Sequence, residues 1–337
     1  MKKITKAILL AASSVLACSA TDYVIPDYVN TVNNEASGWR TKSGLLVLGE
    51  APDARAFSLC SASPTSGIKY AETANLYHRT FGDSVTIYCM PIPTQSAFYT
   101  PDSFSKLIRK QNVAIGRMFD ALDNGVVPVN VFTILSEHVT ENIYARTDHH
   151  WLPLGAYYAA KAFAAEAGVP FRDLSEYDAD TVRNYVGSMY HYTKSAAVKA
   201  SPEDFVYFTP RDVEYTAFFT PFSGGNTTKE PFFKKFADGS SGAYCTFMGG
   251  DNRLCKVVTS TENGRKLVVL KDSFGNAIPG YLFHSFQEIH VIDCRYFKQN
   301  LVKYVKDNGI TDIVFANNLQ HACSKVTVAS YERYLVQ

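Results

Sequence analysis

Short apolar runs that alternate with helix-forming segments constrain the fold of this chain more than any other feature. Each run has the length of one buried strand, and each segment between runs has the length of a helix. Strands that alternate with helices favour a mostly parallel sheet with helices on both faces, which is an α/β fold. The six predicted strands are residues 44–49, 84–92, 127–134, 265–272, 288–293 and 312–317.

The segments between these runs carry helical spacing and end signals. Asp102 or Ser103 is a candidate cap for one helix, and Gly168 and Gly309 stop two others. A stretch at about 186–247 differs, because aromatic and polar residues alternate there between prolines and glycines. It predicts a β-rich insertion into the α/β body. The four predicted helices are residues 68–82, 102–125, 153–168 and 297–309.

The first residues have the pattern of a secretory signal. Lys2, Lys3 and Lys6 precede an apolar run at 7–16 that is too short for a membrane span. Cys18 follows a lipobox-like sequence, which predicts lipidation of Cys18 and a membrane anchor, whereas ordinary cleavage after Ala20 would discard it. Both outcomes place the mature chain in the periplasm or cell envelope. The predicted organisation is a signal and lipobox at 1–18, a tether at 19–42 and one domain at 43–337.

Charge and cysteine usage exclude several classes of protein. The 337 residues include 33 Lys and Arg and 32 Asp and Glu. A net charge of +1 with no long basic run argues against a nucleic-acid partner. Six cysteines follow Cys18, and their pairing stays open. Cys245 and Cys255 are close enough in sequence to close a small loop, and buried free thiols are the alternative. No C-x-x-C pair occurs, which argues against a zinc ribbon.

Ser273 lies directly after the predicted strand at 265–272, in the sequence LVVLKDSFGNA. In open α/β sheets, sites gather outside the carboxyl ends of the strands. A serine there, before a predicted helix, is well placed for a nucleophile, and backbone N–H groups nearby can stabilise an oxyanion. The alternative is that Ser273 only caps the next helix.

Asp148, His149, His150 and Trp151 stand together just before an alanine-rich helix. Residues two apart in an extended chain share a face, so Asp148 can orient His150, and His150 can serve as base to Ser273. Asp and His also bind zinc, but adjacent histidines rarely share one ion and no further ligand pattern completes a set. The sequence therefore favours a triad without metal or cofactor.

Four stretches together carry a resemblance to a known family. TDHHW at 147–151, FMGGD at 247–251, VLKDSFGNA at 269–277 and IHVIDCRYF at 289–297 resemble the DHHW protein family. That family is similar to the SGNH-hydrolase-like proteins of bacterial alginate O-acetylation. The resemblance implies a circularly permuted SGNH-hydrolase-like fold. It also implies a catalytic triad of Asp148, His150 and Ser273, although His149 stands where those relatives have a short residue.

Further residues are candidates for substrate contact. Arg295 follows a predicted strand and is expected to bind substrate or to stabilise negative charge. The alternative is that it forms a surface ion pair. His149 and Tyr99 are also candidates, with core packing the alternative for Tyr99. Asn317 and Asn318 end the last strand, where either can donate to an oxyanion or form a turn.

The leading hypothesis is an exported carbohydrate O-acetyltransferase or O-acetyl esterase that uses a serine nucleophile and no cofactor. Its partners would be a polysaccharide or other glycan and an acetyl donor that the sequence does not identify. Two alternatives stay open. One is a non-catalytic glycan-binding lipoprotein, and the other is a metal-dependent hydrolase built on Asp148, His149 and His150.

Overall fold

The computed structural model describes residues 22–337, so the predicted signal and Cys18 lie outside the described residues. The strands, in chain order, are β1 (Gly38–Arg40), β2 (Leu45–Leu48), β3 (Arg55–Ser58), β4 (Thr86–Cys89), β5 (Val126–Pro128), β6 (Tyr177–Tyr185), β7 (Glu203–Pro210), β8 (Tyr215–Pro221), β9 (Thr228–Glu230), β10 (Asn252–Thr259), β11 (Lys266–Lys271), β12 (Glu288–Asp293) and β13 (Asp312–Ala316).

The helices include two that end where the sequence predicts, at Gly168 and Gly309. Both glycines adopt the left-handed conformation, with φ of 62°, which a residue with a Cβ enters only at a cost. The helices are α1 (Ile68–Phe81), α2 (Ser96–Tyr99), α3 (Gln111–Asp120), α4 (Val131–Glu137), α5 (Pro153–Ala167), α6 (Ser188–Thr193), α7 (Ala196–Lys199), α8 (Leu301–Asn308), α9 (Leu319–Ala322) and α10 (Lys325–Tyr334).

One eight-stranded sheet organises the molecule. Its order is β5-β4-β13-β11-β12-β10-β8-β9. The five strands from β5 to β12 run parallel, and β10, β8 and β9 add antiparallel strands at one side. Strand β11 lies near the centre, so the residue that follows it emerges at the middle of the sheet edge.

Helices cover both faces of the central strands. Phe315 of β13 contacts Tyr77 of α1 and Tyr331 of α10, with ring centroids 4.8 and 5.2 Å away. Tyr88 of β4 points to the other face, where its ring centroid lies 5.1 Å from that of Phe163 in α5. Every residue of β13 is buried, as expected for a strand covered on both sides. The predicted α/β class, with a mostly parallel sheet, is confirmed.

Two of the predicted elements are each divided into two shorter elements in the structure. The run predicted as a strand at 127–134 is β5 followed by α4, because the Asn130 side chain accepts a hydrogen bond from the Thr133 N–H and starts a helix. The helix predicted at 102–125 is a 3₁₀ segment, Asp102–Leu107, followed by α3. Lys110 is extended between them, which breaks the helical path.

The predicted tether at 19–42 differs from the structure over its described part. Parts of the segment that begins at Asp22 pack on the domain, although many of its side chains are exposed. Ile25 is buried in the core, and the Asn112 side chain donates to its carbonyl at 3.0 Å. Asn33 donates to the carbonyl of Tyr99 at 3.1 Å. Within residues 22–337, no helix is long and apolar enough to cross a bilayer.

The β-rich stretch begins before the predicted boundary of 186 and is partly built into the main sheet. Strands β6 and β7 form a separate antiparallel pair, whereas β8 and β9 extend the main sheet beside β10. The six cysteines of the described residues are all free. The loop closure considered for Cys245 and Cys255 is therefore absent, and Cys255 is fully buried in β10.

Candidate active site

A cleft of about 270 Å³ opens at the carboxyl edge of the parallel strands. Four neighbouring strands deliver residues to it, because parallel strands end at the same edge of a sheet. Gln95 follows β4, Asn318 follows β13, Ser273 follows β11 and Arg295 follows β12. The remaining lining residues include Phe57 and Ser58 of β3, His149, Met189 and Tyr192 of α6, and Gln320 and His321 of α9.

The buried carboxylate of Asp272 fixes the turn that carries Ser273. One of its oxygens accepts from the Phe274 N–H at 2.9 Å, and the other accepts from the Asn318 N–H at 2.8 Å. The ends of β11 and β13 are thereby tied together. The helix predicted after Ser273 is instead a pair of short 3₁₀ turns, Ser273–Asn276 and Pro279–Leu282.

Asp148, His150 and Ser273 meet in one hydrogen-bonded chain. His150 Nε2 lies 2.8 Å from Ser273 Oγ, and His150 Nδ1 lies 2.7 Å from Asp148 Oδ1. Asp148 Oδ1 also accepts from the backbone N–H of His150 at 3.0 Å, so the two-residue spacing forms a bend rather than a strand. Such a chain allows the imidazole to take a proton from the hydroxyl while the carboxylate fixes its tautomer.

Asp148 is ionised despite being 4% exposed. Burial alone would raise its pKa, but the electrostatic interaction and the hydrogen bond with His150 hold that pKa well below its usual range. The backbone N–H of Ser188 donates to Asp148 Oδ2 at 2.8 Å. Gly187 permits this approach, because a Cβ there would lie 2.5 Å from the Asp148 side chain.

Trp151 and Tyr244 hold the Ser273 turn from the other side. The Trp151 indole N–H donates to the Phe274 carbonyl at 3.1 Å. The Tyr244 hydroxyl lies 2.9 Å from the Ser273 carbonyl and 3.0 Å from that of Phe274. No sequence pattern predicts a role for Tyr244, and its position just before the motif at 247–251 is the one signal that could have pointed to it.

His149 lines the cleft beside the hydrogen-bonded chain. Its Nδ1 lies 2.6 Å from Ser188 Oγ, and its ring packs against that of His150. Burial, followed by the electrostatic interaction with the nearby His150, lowers the pKa of His149 to about 4. His149 is therefore neutral near pH 7 and is placed for contact with a ligand in the cleft.

Arg295 belongs to a chain of alternating charges at the cleft wall. Its guanidinium pairs with both oxygens of Asp293, at 2.8 and 2.6 Å, and with Asp251 at 2.8 Å. The fully buried Lys271 lies 2.7 Å from Asp293. Burial raises the pKa of Asp293, but the Lys271 charge and the Arg295 hydrogen bond outweigh it and set the pKa at about 2. Arg295 thus lines the cleft and is ion-paired at the same time.

Two residues predicted for substrate contact lie elsewhere. Tyr99 is buried under the Arg55 guanidinium and donates to the Val139 carbonyl at 3.0 Å, away from the cleft. Gln95, in the same stretch, lines the cleft instead and donates to the Asp148 carbonyl at 2.9 Å. Asn317 is fully buried, and its side chain points into the core, where Oδ1 accepts hydrogen bonds from the hydroxyls of Tyr70 and Tyr331.

Asn318 is the residue of this pair that lines the cleft. Its Oδ1 accepts from the N–H groups of Gln320 and His321, at 3.0 and 3.1 Å. Within residues 22–337, the side-chain NH₂ of Asn318 has no hydrogen-bond acceptor. Asn318 can therefore donate to a ligand, whereas Asn317 serves as a support for Asp272, to which its NH₂ donates at 3.3 Å.

Asp148, His149 and His150 offer three metal-ligand atoms within 4.8 Å of one another. The atoms of Asp148 and His150 already have partners, however. Both oxygens of Asp148 accept hydrogen bonds, and both ring nitrogens of His150 lie in the chain between Asp148 and Ser273. A metal there would have to break that chain, so the donor set fits proton transfer better than coordination.

The comparisons with known proteins identify the family. The model of the family described as DHHW protein matches residues 12–292. A solved DHHW family protein from Eubacterium siraeum DSM 15702 is 36% identical, with a TM-score of 0.81 over 93% of this chain and 100% of its own. This chain therefore belongs to the DHHW family. No curated protein matches it.

More distant structures share the fold. Bacillus cereus PatB1 is 17% identical, with a TM-score of 0.66 over 84% of this chain and 99% of its own. A second structure of PatB1 carries a sulfonyl adduct and is 16% identical, with a TM-score of 0.66 over 87% of this chain and 98% of its own.

The lowered pKa of His149 makes a prediction for stability. Between pH 6.5 and about 4, the unfolded chain binds a proton at His149 that the folded chain does not, so the free energy of unfolding decreases as the pH is lowered through this range. His149→Gln should flatten that dependence, measured by urea unfolding at several pH values. His191→Gln, at an exposed histidine of α6, is the control and should leave the slope unchanged. An equal slope in His149→Gln and the native sequence would contradict the assignment.

Proposed function

We propose that this DHHW protein is an exported serine enzyme that transfers or hydrolyses O-acetyl groups on carbohydrate. The observation that carries the proposal is the continuous hydrogen-bonded chain from Asp148 through His150 to Ser273 at the cleft. The resemblance to the proteins of alginate O-acetylation supports the acetyl group and the carbohydrate. A protein that only binds glycan has no need of a serine, an imidazole and a buried carboxylate held in that order.

The first half-reaction acetylates the enzyme. Ser273 Oγ attacks the carbonyl carbon of the acetyl donor while His150 Nε2 takes the hydroxyl proton. Asp148 stabilises the imidazolium through Nδ1–H. When the tetrahedral intermediate collapses, the bond to the leaving oxygen breaks, and that oxygen takes the proton from His150. The products are acetyl-Ser273 and the freed alcohol.

The second half-reaction restores the serine. A sugar hydroxyl or a water molecule gives its proton to His150 Nε2 and attacks the acetyl carbon. Ser273 then leaves and recovers the proton from His150. The side-chain NH₂ of Asn318 is the proposed donor to the oxyanion in both halves, because it lines the same cleft as Ser273.

The volume of the cleft limits the size of the substrate that it can hold. A volume of about 270 Å³ suits a short acyl group and a single sugar ring better than a long acyl chain. Tyr192, which is 56% exposed, lines the opening of the cleft and offers an aromatic face to a sugar ring. Arg295 and His149 are proposed to contact polar groups of the same substrate.

Removal of the nucleophile tests the proposal. Ser273→Ala should lower the rate of release from a small acetyl ester, such as p-nitrophenyl acetate, by about a thousandfold or more. His150→Ala should do the same, because it removes the base. His149→Ala is the matched control in the adjacent position and should change kcat by less than about tenfold. Equal loss in His149→Ala and His150→Ala would contradict these roles.

The identity of the acetyl acceptor distinguishes a transferase from an esterase. Acetylated oligosaccharide, detected by mass spectrometry after incubation with donor and glycan, would assign a transferase, whereas free acetate alone would assign an esterase. Activity that disappears with chelator and returns with zinc would instead support the metal-dependent alternative. Unchanged ester release in Ser273→Ala would overturn the serine mechanism.

Export and lipid attachment are proposed from the sequence of the first residues. Lys2, Lys3 and Lys6, the apolar run and Cys18 support a lipid anchor, and each buried acyl CH₂ contributes roughly 0.8 kcal/mol to membrane binding. Cys18→Ala should release the protein from the membrane fraction or leave its signal uncleaved, without altering ester release by the purified domain. Native protein found outside the membrane with Thr21 as its first residue would contradict the lipid anchor.

A further inference from the structure

The aromatic ring of Tyr244 lies flat against the imidazole of His150. Their centroids are 3.8 Å apart and their planes differ by 5°. The His149 ring also packs on this imidazole, at 3.7 Å between centroids. Two rings at such distances cannot share one face of an imidazole, so His150 is enclosed on both faces. Its freedom to turn away from Ser273 is correspondingly small.

The same tyrosine also contacts the turn that carries the nucleophile. Its hydroxyl reaches the carbonyls of Ser273 and Phe274, and the Trp151 indole lies 3.3 Å from it. Burial raises the pKa of Tyr244 well above its usual range, so the hydroxyl keeps its proton and donates. One side chain thus touches the proposed base with its ring and the nucleophile's backbone with its hydroxyl.

This geometry has a consequence for proton transfer. When His150 takes the Ser273 proton, a cation forms directly over an aromatic face. The negative face of a tyrosine ring attracts such a cation, and the attraction is stronger away from water. Tyr244 is 6% exposed, so the contact is largely dry. The neutral imidazole gains less from the same ring, and the difference favours protonation of His150.

We propose that Tyr244 is a positioning residue that aligns His150 with Ser273 and stabilises the imidazolium formed during acetyl transfer. The inference rests on the proposed serine mechanism. It goes beyond the three residues of the triad, because it assigns part of the basicity of His150 to a ring from the β-rich segment.

Other charged and titratable groups surround His150 and remain in place when Tyr244 is changed. Asp148 and His149 lie on its own segment, and Asp251 and Arg295 lie close enough to influence His149. Asp272 lies behind Ser273, and Tyr185 approaches Asp148 from β6. A shift seen on substitution of Tyr244 alone is therefore assigned to that ring.

The experiment compares the pH dependence of kcat/KM for p-nitrophenyl acetate in the full chain, in three variants of Tyr244 and in one control variant. Tyr244→Leu removes ring and hydroxyl, and Tyr244→Met provides a second variant without an aromatic face. We expect both variants to move the acidic limb of the kcat/KM profile to lower pH by roughly half to one unit. We also expect both to lower the plateau value of kcat/KM by roughly tenfold. Tyr244→Phe keeps the ring, and its acidic limb should stay where it is in the native chain.

Phe205→Leu is the control for packing, since Phe205 contacts Tyr244 at 6.5 Å between centroids and is fully buried. It should lower the thermal unfolding midpoint without moving the acidic limb. An unmoved limb in Tyr244→Leu and Tyr244→Met, or an equal shift in Phe205→Leu, would overturn the role of Tyr244 and leave the serine mechanism standing. Absence of Ser273-dependent turnover in the native chain would overturn both.

Discussion

The structure around the cleft depends on burying the Asp148 carboxylate as an ion. A buried carboxylate is tolerated only when its oxygens are hydrogen-bonded and a positive partner is near. The donors to Asp148 are the ring and backbone of His150 and the backbone N–H of Ser188, which comes from the β-rich segment. The need to satisfy one carboxylate therefore joins the loop before α5 to α6 and sets the orientation of the His150 imidazole, the proposed base.

A second buried carboxylate does the same for Ser273, the proposed nucleophile. Asp272 accepts one backbone hydrogen bond from its own turn and one from the residue Asn318 after β13. These bonds fix the positions of Ser273 and Asn318 at the sheet edge. Trp151 and Tyr244 connect the two halves by contacting the Ser273 turn from the segments that hold His150. The last residue of the DHHW motif thus holds the turn that carries Ser273, while its first and third residues form the carboxylate–imidazole pair.

The sequence predicts the parts of this site that follow from local pattern. Strand ends locate Ser273 and Arg295, and the spacing of Asp148 and His150 predicts their contact. The sequence does not show which of Asn317 and Asn318 lines the cleft. Asn317 points into the core because two tyrosines, distant from it in sequence, donate hydrogen bonds to its side chain. Tyr244 and Ser188 could not be predicted, because contacts between segments far apart in the chain bring them in.

The proposed mechanism requires that Ser273 is the nucleophile and that His150 activates it. Treatment with a sulfonyl fluoride, followed by peptide mapping with mass spectrometry, tests this requirement most directly. We predict one sulfonyl group on the peptide that contains Ser273, and no such group in His150→Ala under the same conditions. A modification on another residue, or equal modification of Ser273 with and without His150, would contradict the claim.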